Sequence, residues 1–410
     1  MIRRLIPIPI GGLFALFLAL PAELAAQTTN PVSRAVAIQT ALDHAPRLLL
    51  ALSDTAVATA GLRAARLFPD PTAAVGYTRS TPRYHVELSI PLDLPWIRNA
   101  RAAAAQSGRG GSQLRLAFAR VAARLNADTA YTAALAAREQ LALSRRNARD
   151  ADSLLRIAVI RRDAGDASEL DVELARIFAG QQANLWAGDS LASESALLTV
   201  QAAMGMVTSD ITISLADSLV RPPDDVSTIP GGNLLPVAAA ESDVRTAELL
   251  ARMQRRSRII EPTLIAGFET GDPGGSEPGI LPTIGVAIPL PLLNGNRGNI
   301  ALAEAELQRA QATLVAIRVE STGAVGRARR ALRTGLDQVA RDAQLTAAAD
   351  RVSALSLTAY REGAATLASV LEAQRMAREV RSQYIADLAG TWIARGVLQL
   401  LSETVAPSVP

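Results

Sequence analysis

The chain repeats itself, and this limits its possible folds more than any other feature. Asp70-Pro71-Thr72 with Gly76-Tyr77 recurs as Glu261-Pro262-Thr263 with Gly267-Phe268, and Ile90-Pro91-Leu92 recurs as Ile288-Pro289-Leu290. The offset that carries Pro91 onto Pro289 also carries Gly165 onto Gly363, so one structural unit is used twice. A linker-like stretch, with Pro222-Pro223-Asp224-Asp225 and Pro230-Gly231-Gly232, separates the copies.

Within each copy the hydrophobic period changes from helical to two and back. From Tyr84 to Pro95 one parity holds Tyr84, Val86, Leu88, Ile90, Leu92 and Leu94, and the other holds His85, Glu87, Ser89, Pro91 and Asp93. Successive side chains of a strand point to opposite faces, so one face is apolar and the other is polar. Ala73, Val75 and Tyr77 alternate in the preceding arm, and the pair reads as a hairpin over 71–94. The second copy gives a hairpin over 262–293, where Ile284, Val286, Ile288, Leu290 and Leu292 share one parity. Arms of about ten residues suit a strand tilted across a bilayer. A soluble sandwich and a membrane barrel both fit the strands alone.

The helical period precedes each hairpin and follows it at great length. From Pro31 to Leu67 the pattern is helical, with Pro46 predicting a kink or two helices. After Trp96 it runs to about Arg162, with Leu114, Phe118, Val121 and Leu125 at coiled-coil spacing. At 1.5 Å per residue this is on the order of 100 Å, longer than a compact domain needs. Gly108, Gly110 and Gly111 predict a kink or a mobile turn in it. Gly165 ends the helix, and Ser168 with Glu169 suits the start of the next, which runs to Met204. The second copy has helices over Gly298–Tyr360 and Thr366–Leu401. The helical hairpins thus fall at 96–206 and 296–403. The chain divides into a leader at 1–26, repeats at 27–207 and 234–403, the linker at 208–233 and a tail at 404–410.

Composition agrees with a mainly helical body, since alanine and leucine dominate the apolar fraction and aromatics are only 3%. No cysteine occurs, which excludes disulfides, thiolate metal sites, cysteine nucleophiles and a lipidated amino-terminal cysteine. All 42 basic residues are arginine, and the formal net charge is +3. With so small a net charge and balanced acids, nucleic acid is not an expected partner. Arg3 and Arg4 precede an apolar run from Leu5 to Leu20 and small residues ending at Ala25-Ala26, the layout of a cleaved secretory signal; an uncleaved anchor is the other reading. Four strands cannot close a membrane barrel, and an open edge in lipid costs several kcal/mol per unpaired backbone group. If the hairpins span, several chains must share one barrel.

This organisation resembles the TolC-like outer-membrane efflux proteins over about Pro31 to Glu403. The segments that carry the likeness, besides the duplication, are IPLPLLNGNRGNIALAEAELQRAQATL from Ile288 and AYREGAATLASVLEAQRM from Ala359. The resemblance implies a mainly α fold with a small membrane β part. Three protomers would each give four strands to a twelve-stranded outer-membrane barrel, above a periplasmic α-barrel tunnel. It implies a homotrimer set in outer-membrane lipid of a Gram-negative cell. Its partners would be a periplasmic adaptor (membrane fusion) protein and an inner-membrane efflux pump, and the function a passive exit duct.

By the same resemblance, Asp163, Gly165 and Asp166 with Arg361, Glu362 and Gly363 form adaptor-docking tips. The family's gate tyrosine matches Tyr360. Its acidic aperture positions match Ser369 and Glu372, with Asp171 a contributor from the first repeat, and its nearby arginine is Ala365 here. Glu372 also reads as a solvated helix-face carboxylate. His85, Glu87, Ser89 and Asp93 would line the barrel lumen. The length and compact tips lean toward the heavy-metal resistance branch.

Other candidates are weaker. His44 and His85, the only histidines, lie on separate elements, so a histidine-based metal cluster in one protomer is not expected. Arg145-Arg146, Arg255-Arg256 and Arg329-Arg330 read as charged outer helix faces, and Tyr77, Tyr84, Trp96 and Phe268 as a sparse interfacial girdle or as packing residues. No nucleophile elbow, phosphate loop or paired-carboxylate motif occurs, so neither an enzyme nor a cofactor is expected. The rival from another class is a periplasmic coiled-coil adaptor or structural protein with its hairpins in a soluble β-domain.

Overall fold

The computed structural model describes residues 30–224, 233–257, 262–270, 279–291 and 294–404. The leader at 1–26, the tail beyond 404, the middle of the linker, Glu261, Leu292 and most of the second hairpin loop lie outside the described residues. The first half comprises β1 (Asn30–Val32), α1 (Arg34–His44), α2 (Pro46–Arg66), β2 (Thr72–Tyr77), β3 (Tyr84–Pro91), α3 (Pro95–Asp163) and α4 (Glu169–Ala203). After β4 (Ile213–Leu215) the second half comprises α5 (Leu235–Arg256), β5 (Thr263–Thr270), β6 (Leu281–Ala287), α6 (Arg297–Arg361) and α7 (Leu367–Ser402). Pro46 divides α1 from α2 because its ring cannot continue a helix but suits a first turn.

The two hairpins are not separate. They join edge to edge in one antiparallel sheet of order β2-β3-β5-β6, with Val86 opposite both Val75 and Phe268. The registers place Ala73, Val75, Tyr77, Tyr84, Val86, Leu88, Ile90, Leu264, Ala266, Phe268, Ile284 and Val286 on one face. That face is apolar across all four strands and bare, with Val75 80% and Ile284 83% exposed. The arms are shorter than expected, at 6, 8, 8 and 7 ladder residues.

One candidate leaves the sheet. The ladder ends at Pro91, and Asp93 turns into the junction with α3, where its side chain is only 2% exposed and pairs with Arg101 at 2.8 Å. The lumen position expected for Asp93 is therefore corrected. The same guanidinium donates to the Ala65 carbonyl at 3.1 Å, so Arg101 and Asp93 tie the sheet, α2 and α3 together.

The helical body is built around α3, which packs against α1, α2, α4, α5 and α7. Gly108, Gly110 and Gly111 do not interrupt it, so the mobile turn offered for them is not formed. A Cβ on Gly111 would lie 3.2 Å from Asp243 Oδ1 and 3.3 Å from Ser242 Oγ, so the small residue admits α5. Ser107 and Ser242 complete that contact, each hydroxyl donating to the other's carbonyl, at 3.3 and 3.0 Å.

Residues 208–224 of the expected linker are folded onto the body. β4 pairs in parallel with β1, and Gln201, 1% exposed, holds the approach by donating to the Asp210 carbonyl and accepting from Thr212 N–H. Beneath the pair the buried Tyr131 hydroxyl lies 2.8 Å from both the Val32 carbonyl and an Asp217 carboxylate oxygen. Burial, then the Asp217 hydrogen bond, pushes its pKa up to about 12. Arg138 donates to the Leu215 and Asp217 carbonyls, and Arg34 stacks on Trp392 at 4.2 Å. Tyr131→Phe strips these buried groups of a partner and should lower stability by about 1–3 kcal/mol, read as a lower unfolding midpoint in detergent with secondary structure unchanged.

Candidate functional site at the helical tips and the sheet

Both long hairpins turn by the same chemistry. After α3, Gly165 sits at φ +83° and after α6, Gly363 sits at φ +78°, the left-handed region that a side chain disfavours. The turn carbonyls are closed by Asp166 N–H to Arg161 O at 2.7 Å and Ala364 N–H to Ala359 O at 2.8 Å. Ser168 then caps α4 in a capping box, its Oγ accepting from Asp171 N–H while the Asp171 carboxylate accepts from Ser168 N–H at 3.0 Å. Thr366 caps α7, accepting from Ser369 N–H, and the Ser369 hydroxyl donates back to the Thr366 carbonyl at 2.7 Å.

The two tips form one body. Tyr360, 3% exposed, sits in an apolar cluster with Leu154, Ala158, Val172, Ala175, Leu367 and Val370, drawn from all four long helices. Arg161 of the first tip donates to the Tyr360 carbonyl at 2.6 Å and to the Asp166 carbonyl at 3.3 Å. Its guanidinium also lies over the Tyr360 ring, 4.7 Å from the centroid. The Tyr360 hydroxyl is buried without a partner among the described residues, and burial raises its pKa, with Arg161 acting downward and Asp171 upward. Arg161 escaped the sequence reading, yet a signal was present. It continues the stripe of Leu154 and Ala158 at helical spacing, an odd place for a charge without a partner.

Several acids at this end are occupied locally. Arg162 pairs with Asp163 at 2.8 Å and Glu169 at 3.2 Å, and its hydrogen bond to Asp163 leads in raising its own pKa. Glu372 accepts two hydrogen bonds from Arg375, at 2.7 and 3.0 Å, which hold its carboxyl below the usual range. Arg375 also reaches Glu379. Tyr360 and Asp171 thus come together at the tip, whereas Glu372 is engaged along its own exposed helix. Asp166, Arg361, Glu362 and Gly363 are exposed at the extreme end.

At the sheet, His85 Nδ1 lies 3.2 Å from Glu269 Oε1 on the neighbouring strand and its Nε2 lies 3.2 Å from Thr78 Oγ1. Ser89 donates to Glu87 at 3.0 Å. These groups share one face, opposite the apolar one. Among the described residues no group of three or more histidines and acids is placed to hold a metal ion.

A bare apolar sheet with open edges, carried on helical hairpins about 100 Å long, defines a subunit of an outer-membrane channel. The profile of the outer membrane efflux protein family matches residues 237–399. The chain is 26% identical over 379 residues to the cobalt-zinc-cadmium resistance protein CzcC of Cupriavidus metallidurans, covering 90% of this chain and 89% of that one. A membrane protein from Pseudomonas aeruginosa superposes with a TM-score of 0.76 at 21% identity, over 90% of this chain and 93% of that one. The Campylobacter jejuni CmeC outer membrane channel gives 0.76 at 16% identity, over 97% and 94%. In sequence and in fold the chain is similar to the TolC-like outer-membrane efflux proteins, and this likeness supports an outer-membrane exit duct of tripartite efflux systems. The family is one of transport channels rather than enzymes. The adaptor reading is set aside.

Arg161→Ala removes two charge-assisted hydrogen bonds and a ring contact. A loss of about 1.5 kcal/mol, at the low end for hydrogen bonds to charged groups, should speed amide exchange across 161–168 and 359–366 about tenfold. Unchanged exchange would show that the apolar cluster alone holds the tips together.

Proposed function

We propose that three copies of this chain close one barrel and one periplasmic tunnel, with Asp163, Gly165, Asp166, Arg361, Glu362 and Gly363 presented to a periplasmic adaptor and substrate supplied by an inner-membrane pump. The observation that carries this reading is the sheet, whose apolar face is continuous over four strands and whose outer strands, β2 and β6, lack partners among the described residues. The strands alternate in direction, so β6 of one copy meets β2 of the next antiparallel, and closure leaves no edge in lipid. His85, Glu87 and Ser89 then face the water-filled lumen. Tyr360 and Asp171, with Ser369 and Glu372 a turn or more further along α7, stand nearest the narrow end.

The proposed cargo is divalent metal cations. The alignment with a cobalt-zinc-cadmium resistance protein over nearly both full lengths supports this choice. So do the exposed carboxylates of Asp163, Asp166, Glu362 and Glu372 around the aperture, since a narrow low-dielectric pore amplifies each charge on a passing cation.

Three measurements test the proposal. Spin labels at Val86 and Leu88 should report lipid and labels at Glu87 and Ser89 should report water; the reverse pattern would overturn the orientation of the sheet. The wild-type chain should fractionate with the outer membrane as a detergent-stable oligomer, and its recovery in the soluble periplasm would sink the channel. In planar bilayers Glu372→Ala leaves Arg375 with Glu379 alone and makes each tip more positive, so cation selectivity should fall. Unchanged conductance and selectivity would remove Glu372 from the aperture.

A further inference from the structure

Among the contacts between the two halves of the chain, α3 of the first packs along α7 of the second. That seam has a specific fit. A Cβ on Gly396 of α7 would lie 2.8 Å from Leu125 Cδ1 and 3.4 Å from Asp128 Oδ2, so the absence of a side chain on α7 makes room for the leucine of α3. Further along, the Ser382 hydroxyl donates to Gln140 Oε1 at 3.1 Å.

The sequence repeat carries this seam to a second place. The offset that relates Gly165 to Gly363 holds through the helices. Val172 and Val370, Ala175 and Ala373, Ala179 and Ala377, Ser193 and Thr391, and Val200 and Leu398 are each buried in both copies. Under it α3 corresponds to α6 and α7 to α4, so the counterpart of the α3–α7 seam is an α6–α4 seam. Away from the tips the chain makes no comparable packing between α6 and α4. The surfaces that such a seam would cover are partly open, with Leu198, Gly323 and Gly326 half-buried and residues beside them exposed. Leu191 is 69% exposed where its counterpart Ala389 is buried, and Val352 is 50% exposed where its counterpart Leu154 is buried.

The counterparts of the contact residues are complementary in the opposite sense. Gly396 corresponds to Leu198, and Leu125 and Asp128 correspond to Gly323 and Gly326. Within the chain the smallness of Gly323 and Gly326 has no use. The only atoms near an added Cβ belong to Arg327 and Arg330 of the same helix, and glycine inside a helix is unfavourable. The hydrogen-bonded pair Ser382 and Gln140 corresponds to Asn184 and Gln338, two amides that can also bond.

We infer that copies of this chain join head to tail through a seam in which Leu198 on α4 of one copy packs onto Gly323 and Gly326 on α6 of the next. This rests on the oligomer proposed above and specifies its contact. The leucine and the glycine exchange helices between the two kinds of seam, so the volume at the contact is kept while its sense is reversed.

The absence of native cysteine makes the test clean. Leu198→Cys combined with Gly323→Cys, oxidised in outer membranes, should give covalent oligomers up to three copies on a non-reducing gel. Either substitution alone should give none, because a head-to-tail contact does not bring a residue against itself. Leu125→Cys with Gly396→Cys should cross-link within the chain, blocking both thiols without raising the mass. Gly323→Leu should reduce the detergent-stable oligomer at least tenfold, and adding Leu198→Gly, which recreates the Leu125 and Gly396 pairing, should restore it. A stable wild-type oligomer in which the Leu198 and Gly323 cysteines do not cross-link, or one that Gly323→Leu leaves intact, overturns this seam while the oligomer stands. A wild-type chain that forms no oligomer overturns both.

Discussion

Backbone hydrogen bonding in lipid is the constraint on which this structure depends. The sheet's apolar face suits hydrocarbon, but an N–H or C=O left unpaired there costs several kcal/mol. One chain supplies four strands and ends in two open edges. Because each half gives two strands, β2 and β6 run in opposite directions, and in the proposed assembly the alternation carries from one copy to the next. The duplication, the even strand number and the need for copies are therefore aspects of one requirement.

At the opposite end the requirement is different, since water is present and charge can be kept. There the protein uses charge to fix geometry. Asp171 serves a helix cap, Asp163 and Glu169 hold Arg162, Glu372 is held by Arg375, and Arg161 binds carbonyls of both turns. Much of the charge near the tip is thus carried by ordered pairs, while Asp166, Arg361 and Glu362 stand exposed at its end. Two buried tyrosines mark the contrast along the molecule. Tyr131 has partners for its hydroxyl and sits where the linker is pinned to the body, whereas the Tyr360 hydroxyl has none among the described residues and sits where two hairpins meet.

Much of the fold was legible because it rests on local rules. The change of period at Trp96, the break at Pro46 and the glycines at Gly165 and Gly363 each impose a backbone conformation within a few residues. The candidate site was legible in part. Position along the chain placed Tyr360 at a tip, but it could not show that Arg161 reaches across from the other hairpin, because that contact spans 199 residues. Asp93 misled for the same reason. Its parity matches the strand, yet the ladder stops two residues earlier and Arg101 claims the carboxylate. The glycines at Gly108 to Gly111 predicted weakness where close approach of α5 makes them an asset.

The sequence by itself determined the unit, its duplication and the two-faced strands, because periodicity and turn residues act through neighbours in the chain. It also excluded thiol chemistry, since no cysteine occurs. Only the tertiary structure decided that the hairpins share one sheet, that the linker is folded onto α3 and that one arginine joins the tips. Those outcomes depend on which distant surfaces fit each other in space, and neither period nor composition encodes that fit in any single stretch.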